Sequence, residues 1–198
     1  MNKYALIGLA MATSISVASA YGKYDSETGM SLEGLYGISG DDTLANVAGG
    51  SLSLFNYIET GSYVHQISLS AGILSGSHHP SPLDLGVMAD SVSLRTTYIP
   101  LMAGYTFNIP MGDSAMFYLG GKAGWSNINC KETLHIGSTS ERYKESGWRF
   151  SWAAQAGLKF AVSDTVDFVV GYEYLKVQAN FLDDPDYHVI KLGFSWNF

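Results

Sequence analysis

Ile190-Lys191-Leu192-Gly193-Phe194-Ser195-Trp196-Asn197-Phe198 closes the chain, and its phase sets how the rest is read. Ile190, Leu192, Phe194, Trp196 and Phe198 are large and apolar, while Lys191, Gly193, Ser195 and Asn197 between them are small or polar. Successive side chains of a strand point to opposite faces, so this is a strand with one apolar and one polar face. The pattern recurs upstream. Over Ser62–Leu74, Tyr63, His65, Ile67, Leu69, Ala71 and Ile73 oppose Val64, Gln66, Ser68, Ser70 and Gly72. Over Trp148–Ala161, Phe150, Trp152, Ala154, Ala156, Leu158 and Phe160 oppose Ser151, Ala153, Gln155, Gly157 and Lys159.

Working outward, eight such strands are expected. The others are Met30–Ile38, Val47–Tyr57, Val92–Phe107, one starting near Ala115 with Phe117, Leu119, Gly121, Ala123 and Trp125 on one face, and one with Val166, Phe168, Val170, Tyr172 and Tyr174 on one face. The links alternate in length. Short ones fall near Ile58–Gly61, Asn108–Ser114 and Val162–Asp164, and longer ones near Ser39–Asn46, Ser75–Ser91, Asn129–Gly147 and Ala179–Asp186. Strands of about ten residues with short turns at one end and longer loops at the other are the signature of a transmembrane barrel.

Composition agrees. Charged residues are 15% of the 198, against 46% hydrophobic and 13% aromatic, with 13 Tyr and 22 Gly. Mean hydropathy is only +0.07, far below that of a helical membrane protein. After Ala20 no window holds the 18 or more apolar residues of a membrane helix. A net charge of −7 argues against nucleic acid, whose phosphates need a concentrated basic face. Cys130 is the only cysteine, so no internal disulfide forms.

The fold expected is therefore all-β, a closed antiparallel up-and-down transmembrane β-barrel of eight strands. Closure follows from the solvent, because an open sheet edge in hydrocarbon would leave a row of backbone groups unpaired. The apolar faces meet lipid. Tyr57, Tyr63, Phe107, Phe117, Phe160, Phe168, Trp196 and Phe198 are expected to form an outward aromatic rim at the short-turn end. Gly104, Gly120, Gly124, Gly157, Gly171 and Gly193 fall on the inner face and leave room for longer side chains.

The inner face also carries Glu33, Gln66, Lys122, Gln155, Lys159, Asp167, Glu173 and Lys191. Ions in a narrow lumen are costly unless paired. Hairpin geometry places Glu173 opposite Lys191 if the last loop centres on Leu182, Lys159 opposite Asp167 if its turn centres on Ser163, and Lys122 beside Gln155. A polar plug of paired charges is the expectation, not a wide pore.

Residues 1–20, MNKYALIGLAMATSISVASA, have a basic start at Lys3, an apolar run and a small-residue end, Ala18-Ser19-Ala20. This is the form of a signal peptide cleaved after Ala20, leaving residues 21–198 as the barrel domain. No catalytic, cofactor or metal site is expected. His78-His79 lacks a spaced third ligand. His65 and Ser68 point to opposite faces, and Ser195 lies seven positions after His188, roughly 23 Å along a strand at ~3.3 Å per residue, so neither builds a hydrolytic triad.

The whole mature chain resembles the small eight-stranded outer-membrane β-barrel family, which includes opacity-type surface antigens, the OmpX type and the transmembrane domain of OmpA. The resemblance rests on the signal peptide, the strand count, Ile99-Pro100-Leu101-Met102-Ala103-Gly104-Tyr105-Thr106-Phe107, and Lys191 to Phe198. It implies a bacterial outer-membrane location, contact with outer-membrane lipid, and a last strand whose Leu192, Phe194, Trp196 and Phe198 are read by the barrel-assembly machinery. It further implies a monomer with a structural or surface-interaction role, meeting an extracellular ligand or host surface through its loops. These loops include the acidic Asp183, Asp184 and Asp186 and the mixed-charge Lys131, Glu132, Glu141, Arg142, Lys144 and Glu145. The alternative is a narrow pore for small or hydrophobic solutes, and a lipid-modifying enzyme is a third, weaker reading.

Overall fold

The structure, a computed structural model, describes residues 28–40, 44–60, 63–78, 91–111, 114–136, 139–178 and 184–198. Ala18, Ala20 and His79 lie outside them. Eight strands follow one another: β1 (Thr28–Ser39), β2 (Val47–Thr60), β3 (Tyr63–His78), β4 (Ser91–Pro110), β5 (Ala115–Ile136), β6 (Thr139–Ser163), β7 (Val166–Val177) and β8 (Asp186–Asn197). Each pairs antiparallel with the next, and β8 returns to β1 to close the barrel. Closure runs from Gly29 opposite Asn197 to Ser39 opposite Tyr187, and the Phe198 amide extends it by donating to the Thr28 carbonyl at 2.9 Å.

The alternation in the sequence becomes the two surfaces of the wall. Leu32, Ile67, Leu69, Ile73, Leu101, Leu119, Ile190 and Leu192 project outward and stay exposed, while Tyr98, Ile128, Val189 and Lys191 between such residues are buried inside. A soluble barrel would bury its apolar face; here the apolar face is the outer one. The start of β1 and the end of β8 lie at the same end of the barrel as the β2–β3, β4–β5 and β6–β7 links, and the other links lie at the opposite end.

One loop expected from the sequence is strand instead. The span Asn129–Gly147 is not a long loop: β5 continues to Ile136, and β6 starts at Thr139 and pairs with β5 from the outset. β4 follows alongside, with Ser91 opposite His135. Arg95, Lys131, Arg142 and Lys144 line the outward face of these segments, while on the other face Val92 and Cys130 are buried. The result is a three-stranded blade rising beyond the barrel at the loop end. β6 meets β7 only from Ser151 opposite Val177, so among the described residues the β6 edge over 139–149 has no neighbouring strand.

Register corrects two further expectations. A bulge between Ala161 and Ser163 shifts the β6–β7 pairing, so Lys159 lies opposite Val169 and Asp167 lies opposite Ala161. Lys159 and Asp167 do not face each other. Glu173 lies opposite Val189, and Lys191 opposite Gly171, so that pair is diagonal rather than direct. Lys122 and Gln155 are likewise diagonal, each facing a small residue: Lys122 opposite Ala153 and Gln155 opposite Gly120. Diagonal positions are within reach of long side chains.

Candidate functional site

The lumen is filled in two layers. Toward the loop end, Leu35, Val47, Leu74, Tyr98, Met102, Ile128, Ala153, Leu175, Val177, Tyr187 and Val189 form an apolar cluster. At its heart Tyr98 and Tyr187 meet edge to face and share a hydrogen bond of 3.0 Å between their hydroxyls. Nothing in the sequence sets this layer apart, because a buried Tyr and a lipid-facing Tyr look alike without their register.

Below it lies a layer of charge. Lys191, 2% exposed, sits between two carboxylates, with Nζ 3.3 Å from Glu173 Oε2 and 3.5 Å from Glu33 Oε2. Lys122 Nζ donates to the same Glu173 oxygen at 2.9 Å. Lys191 also donates to Gln155 Oε1 at 2.7 Å, and Gln155 Nε2 donates to Thr106 Oγ1 at 3.0 Å. Five strands, β1, β4, β5, β6 and β8, are thus tied to Glu173 on β7 through one polar layer. Two ammonium groups against two carboxylates leave it neutral, which is the condition for holding ions in a low-dielectric lumen.

The short-turn end of this polar layer contains Lys159. It has no carboxylate within ion-pair range among the described residues. Its Nζ donates to Tyr57 Oη at 2.8 Å and to Gln66 Oε1 at 2.6 Å, and lies 4.9 Å from the Tyr57 ring, 5.5 Å from that of Tyr118 and 5.8 Å from that of Phe55. Aromatic faces and neutral oxygens hold this cation. Asp167 turns to the rim, accepting from Ser195 Oγ at 3.3 Å and Asn197 Nδ2 at 3.5 Å.

Tyr57 is therefore a correction. It is not part of the outward rim; it is 4% exposed and lines the lumen with Ser53 and Phe55. Its hydroxyl is drawn inward by the Lys159 ammonium. Tyr118 is a further lumen residue that the sequence reading omits, although its place between outward Phe117 and Leu119 fixes its direction. Its ring occupies the space left by two glycines: a methyl at Gly157 would come 2.6 Å from the ring and hydroxyl, and one at Gly171 would overlap the hydroxyl.

The outer wall carries aromatics at both ends. Tyr63 stacks on Phe107 at 5.0 Å and Phe168 on Phe194 at 5.4 Å near the short turns. Trp125 and Phe150, Trp152 and Tyr174, and Tyr172 and His188 pair near the loop end. His65 pairs with Tyr105 at 2.6 Å on this outer wall, while Ser68 faces the lumen. Leu192, Phe194 and Phe198 face outward and are exposed, with Trp196 in the same phase and partly covered by Phe194.

The blade has two unlike faces. Glu132, Glu141 and Glu145 share the phase of the lumen-facing residues, and Tyr143 on that side donates to Glu141 Oε2 at 3.0 Å. That hydrogen bond, with the carboxylate's charge, holds the Tyr143 phenol above its usual pKa. Arg95, Lys131, Arg142 and Lys144 share the phase of the lipid-facing wall.

Comparison with known proteins follows the same lines. The sequence profile described as "Outer membrane protein beta-barrel domain" matches residues 6–198. No curated protein matches the chain in a sequence search. Among solved structures, a major outer membrane protein from Thermus thermophilus aligns with a TM-score of 0.56 at 11% identity, covering 86% of this chain and 99% of that one. Neisserial surface protein A aligns with 0.53 at 14% identity, covering 90% and 100%. Ail, the attachment invasion locus protein of Yersinia pestis, aligns with 0.50 at 18% identity, covering 89% and 100%. At these identities the likeness is one of fold. With an apolar outer wall closed over eight strands and a family profile spanning nearly its whole length, this chain belongs to the outer-membrane β-barrel protein family.

Proposed function

We propose that this protein is a closed, non-conducting barrel of the bacterial outer membrane, with a structural or surface-interaction role and no enzymatic one. Residues 1–20 direct export and are removed, and the barrel-assembly machinery reads Leu192, Phe194, Trp196 and Phe198 during insertion. The loop end faces the exterior, so the blade is the part presented to the surroundings. The charged side chains of the lumen are engaged with their neighbours: Lys122 with Glu173, Lys191 with Gln155 and Glu33, and Lys159 with Tyr57 and Gln66.

The observation that carries the closed reading is the stacking of two unlike seals. The Glu33–Lys191–Glu173–Lys122 layer crosses the lumen, and the apolar Tyr98–Tyr187 cluster lies directly above it. The cavities on either side leave water about 30 and 20 Å³, room for only a few waters each. An ion would have to shed its water to pass the upper layer and break an ion pair to pass the lower. Single-channel recording in planar bilayers tests this. No steady current steps are expected from the refolded protein, and reproducible steps of uniform size would refute it. The second reading, a narrow pore, draws on those two cavities, which both touch Lys122 and Lys191 and would join if the two lysines swung aside.

A further inference from the structure

The blade holds a row of like charges that no acidic side chain on its own face offsets among the described residues. Arg95 lies directly opposite Lys131, and Lys131 directly opposite Lys144. Three cations thus stand side by side across β4, β5 and β6, all in the outward phase and all exposed. Arg142 precedes Lys144 by two positions on the same face of β6, opposite Thr133. Like charges directly opposite each other destabilise a strand pair. The acidic residues of the blade cannot relieve this, because Glu132, Glu141 and Glu145 are on its other face. None of the four cations forms an ion pair among the described residues.

The position of the row identifies what meets it. The outward face is continuous with the lipid-facing wall. The last large apolar side chains below the row are Ile99, Trp125 and Trp148, four, six and four residues away along β4, β5 and β6. At ~3.3 Å per residue and a strand tilt of about 35–45°, the row stands roughly 10–15 Å above the apolar belt. The headgroup layer of a phospholipid is only about 5–8 Å deep on each side of a bilayer. The row therefore overshoots a phosphodiester at the acyl boundary, even with lysine stems bending down toward it. It lies at the height of phosphates carried on a large sugar headgroup.

We propose that Arg95, Lys131 and Lys144, with Arg142 beside them, bind the phosphate groups of a phosphorylated glycolipid in the leaflet that the loop end faces. Two guanidinium groups supply forked donors and two ammonium groups supply point charges, a set suited to phosphates at more than one position. Asn127 and Asn129, outward on β5 between Trp125 and Lys131, are joined by a 2.8 Å bond from Asn129 Nδ2 to Asn127 Oδ1, which leaves Asn127 Nδ2 and Asn129 Oδ1 to face the sugar hydroxyls in between. The proposal rests on the loop end facing the exterior leaflet; the binding assay does not, so the two can fail separately.

The test uses the mature chain refolded in neutral detergent and titrated with lipopolysaccharide, its enzymatically dephosphorylated form, and soluble heparin. The wild type is expected to bind the phosphorylated glycolipid more tightly than the dephosphorylated form, with a preference that falls as salt rises. At about a factor of five per cation near a charged surface, R95Q/K131Q/K144Q loses roughly 100-fold in that binding. K131Q alone, which keeps the strand pattern, loses about fivefold at the same increment. K176Q, a cation outside the row, keeps wild-type affinity. Retained heat-shifted gel mobility shows that each variant is a folded barrel. Equal binding of both glycolipid forms, or wild-type affinity in the folded triple and single variants, would overturn the proposal. Heparin binding as tightly as lipopolysaccharide would replace it with a soluble polyanion site.

Discussion

Replacing Lys191 by methionine removes the one cation that two lumen carboxylates share. Glu173 keeps Lys122 at 2.9 Å, but Glu33 loses its only ion-pair partner among the described residues, formed at 3.5 Å. At an effective dielectric of 20, a charge pair at that distance is worth about 5 kcal/mol before desolvation. Breaking one side of a buried pair costs roughly 3–5 kcal/mol, because the stranded charge stays out of water. With a urea slope of about 2 kcal/mol per molar, the unfolding midpoint drops by ~2 M. Gln155 Oε1 loses its donor as well, which adds to the deficit. The assay is reversible urea unfolding in a micelle, followed by Trp fluorescence and heat-shifted gel mobility. The decisive comparison is E33Q/K191M. Neutralising Glu33 removes the stranded charge, so the double variant should recover much of the lost stability. A K191M midpoint within about 0.5 M of wild type, roughly 1 kcal/mol on the same slope, would refute the account of the lumen as an ionic seal. So would a double variant no more stable than the single.

Gly171→Ala should cost about 1–3 kcal/mol by overpacking, and Tyr118→Phe should relieve it, since the added methyl overlaps the phenol oxygen; Gly157→Ala should resist the same rescue, because its methyl also meets the Val170 backbone oxygen, and urea midpoints of the four variants separate the cases. Tyr187→Phe alone should destabilise by about 1 kcal/mol by taking the partner from the buried Tyr98 hydroxyl, and adding Tyr98→Phe should recover part of that loss in the same assay. Deleting Trp196 to Phe198 should lower the yield of heat-modifiable protein in cells, as it removes the pairing of Trp196 with Met30 and the Phe198–Thr28 bond; normal insertion would count against a role for these residues in assembly.

The faces of β3, β6, β7 and β8 are readable because lipid outside and polar groups inside give opposite chemistry to alternate positions. Where that contrast fades, sequence reading fails. In β2, Phe55 and Tyr57 are aromatic yet face inward, and outward Asn56 is polar, so alternation alone inverts the local phase. Only the neighbouring strand corrects it, by placing Gln66 opposite Tyr57. The surroundings of Lys159 are hidden for another reason. One unpaired residue in the bulge after Ala161 displaces Asp167, and bulges leave no compositional mark there. The blade reads as a loop because charge usually marks solvated turns, and over 129–147 few apolar residues such as Leu134 mark the buried face. The lumen charges themselves are legible, since charged residues in a strand of low overall charge have few other places to go.

The open edge of β6 ends in a rule about company. Two copies joining edge to edge about a two-fold axis normal to the sheet would keep outward faces together, so only residues of equal parity could meet. Centred on residue 142, 143, 144 or 145, such a join sets Arg142 on Arg142, Arg142 on Lys144 with Glu141 on Glu145, Lys144 on Lys144, or Glu145 on Glu145. Every one of those alignments places like charge on like charge. The middle of the edge is thereby guarded against its own kind, while it stays open to a strand of different sequence.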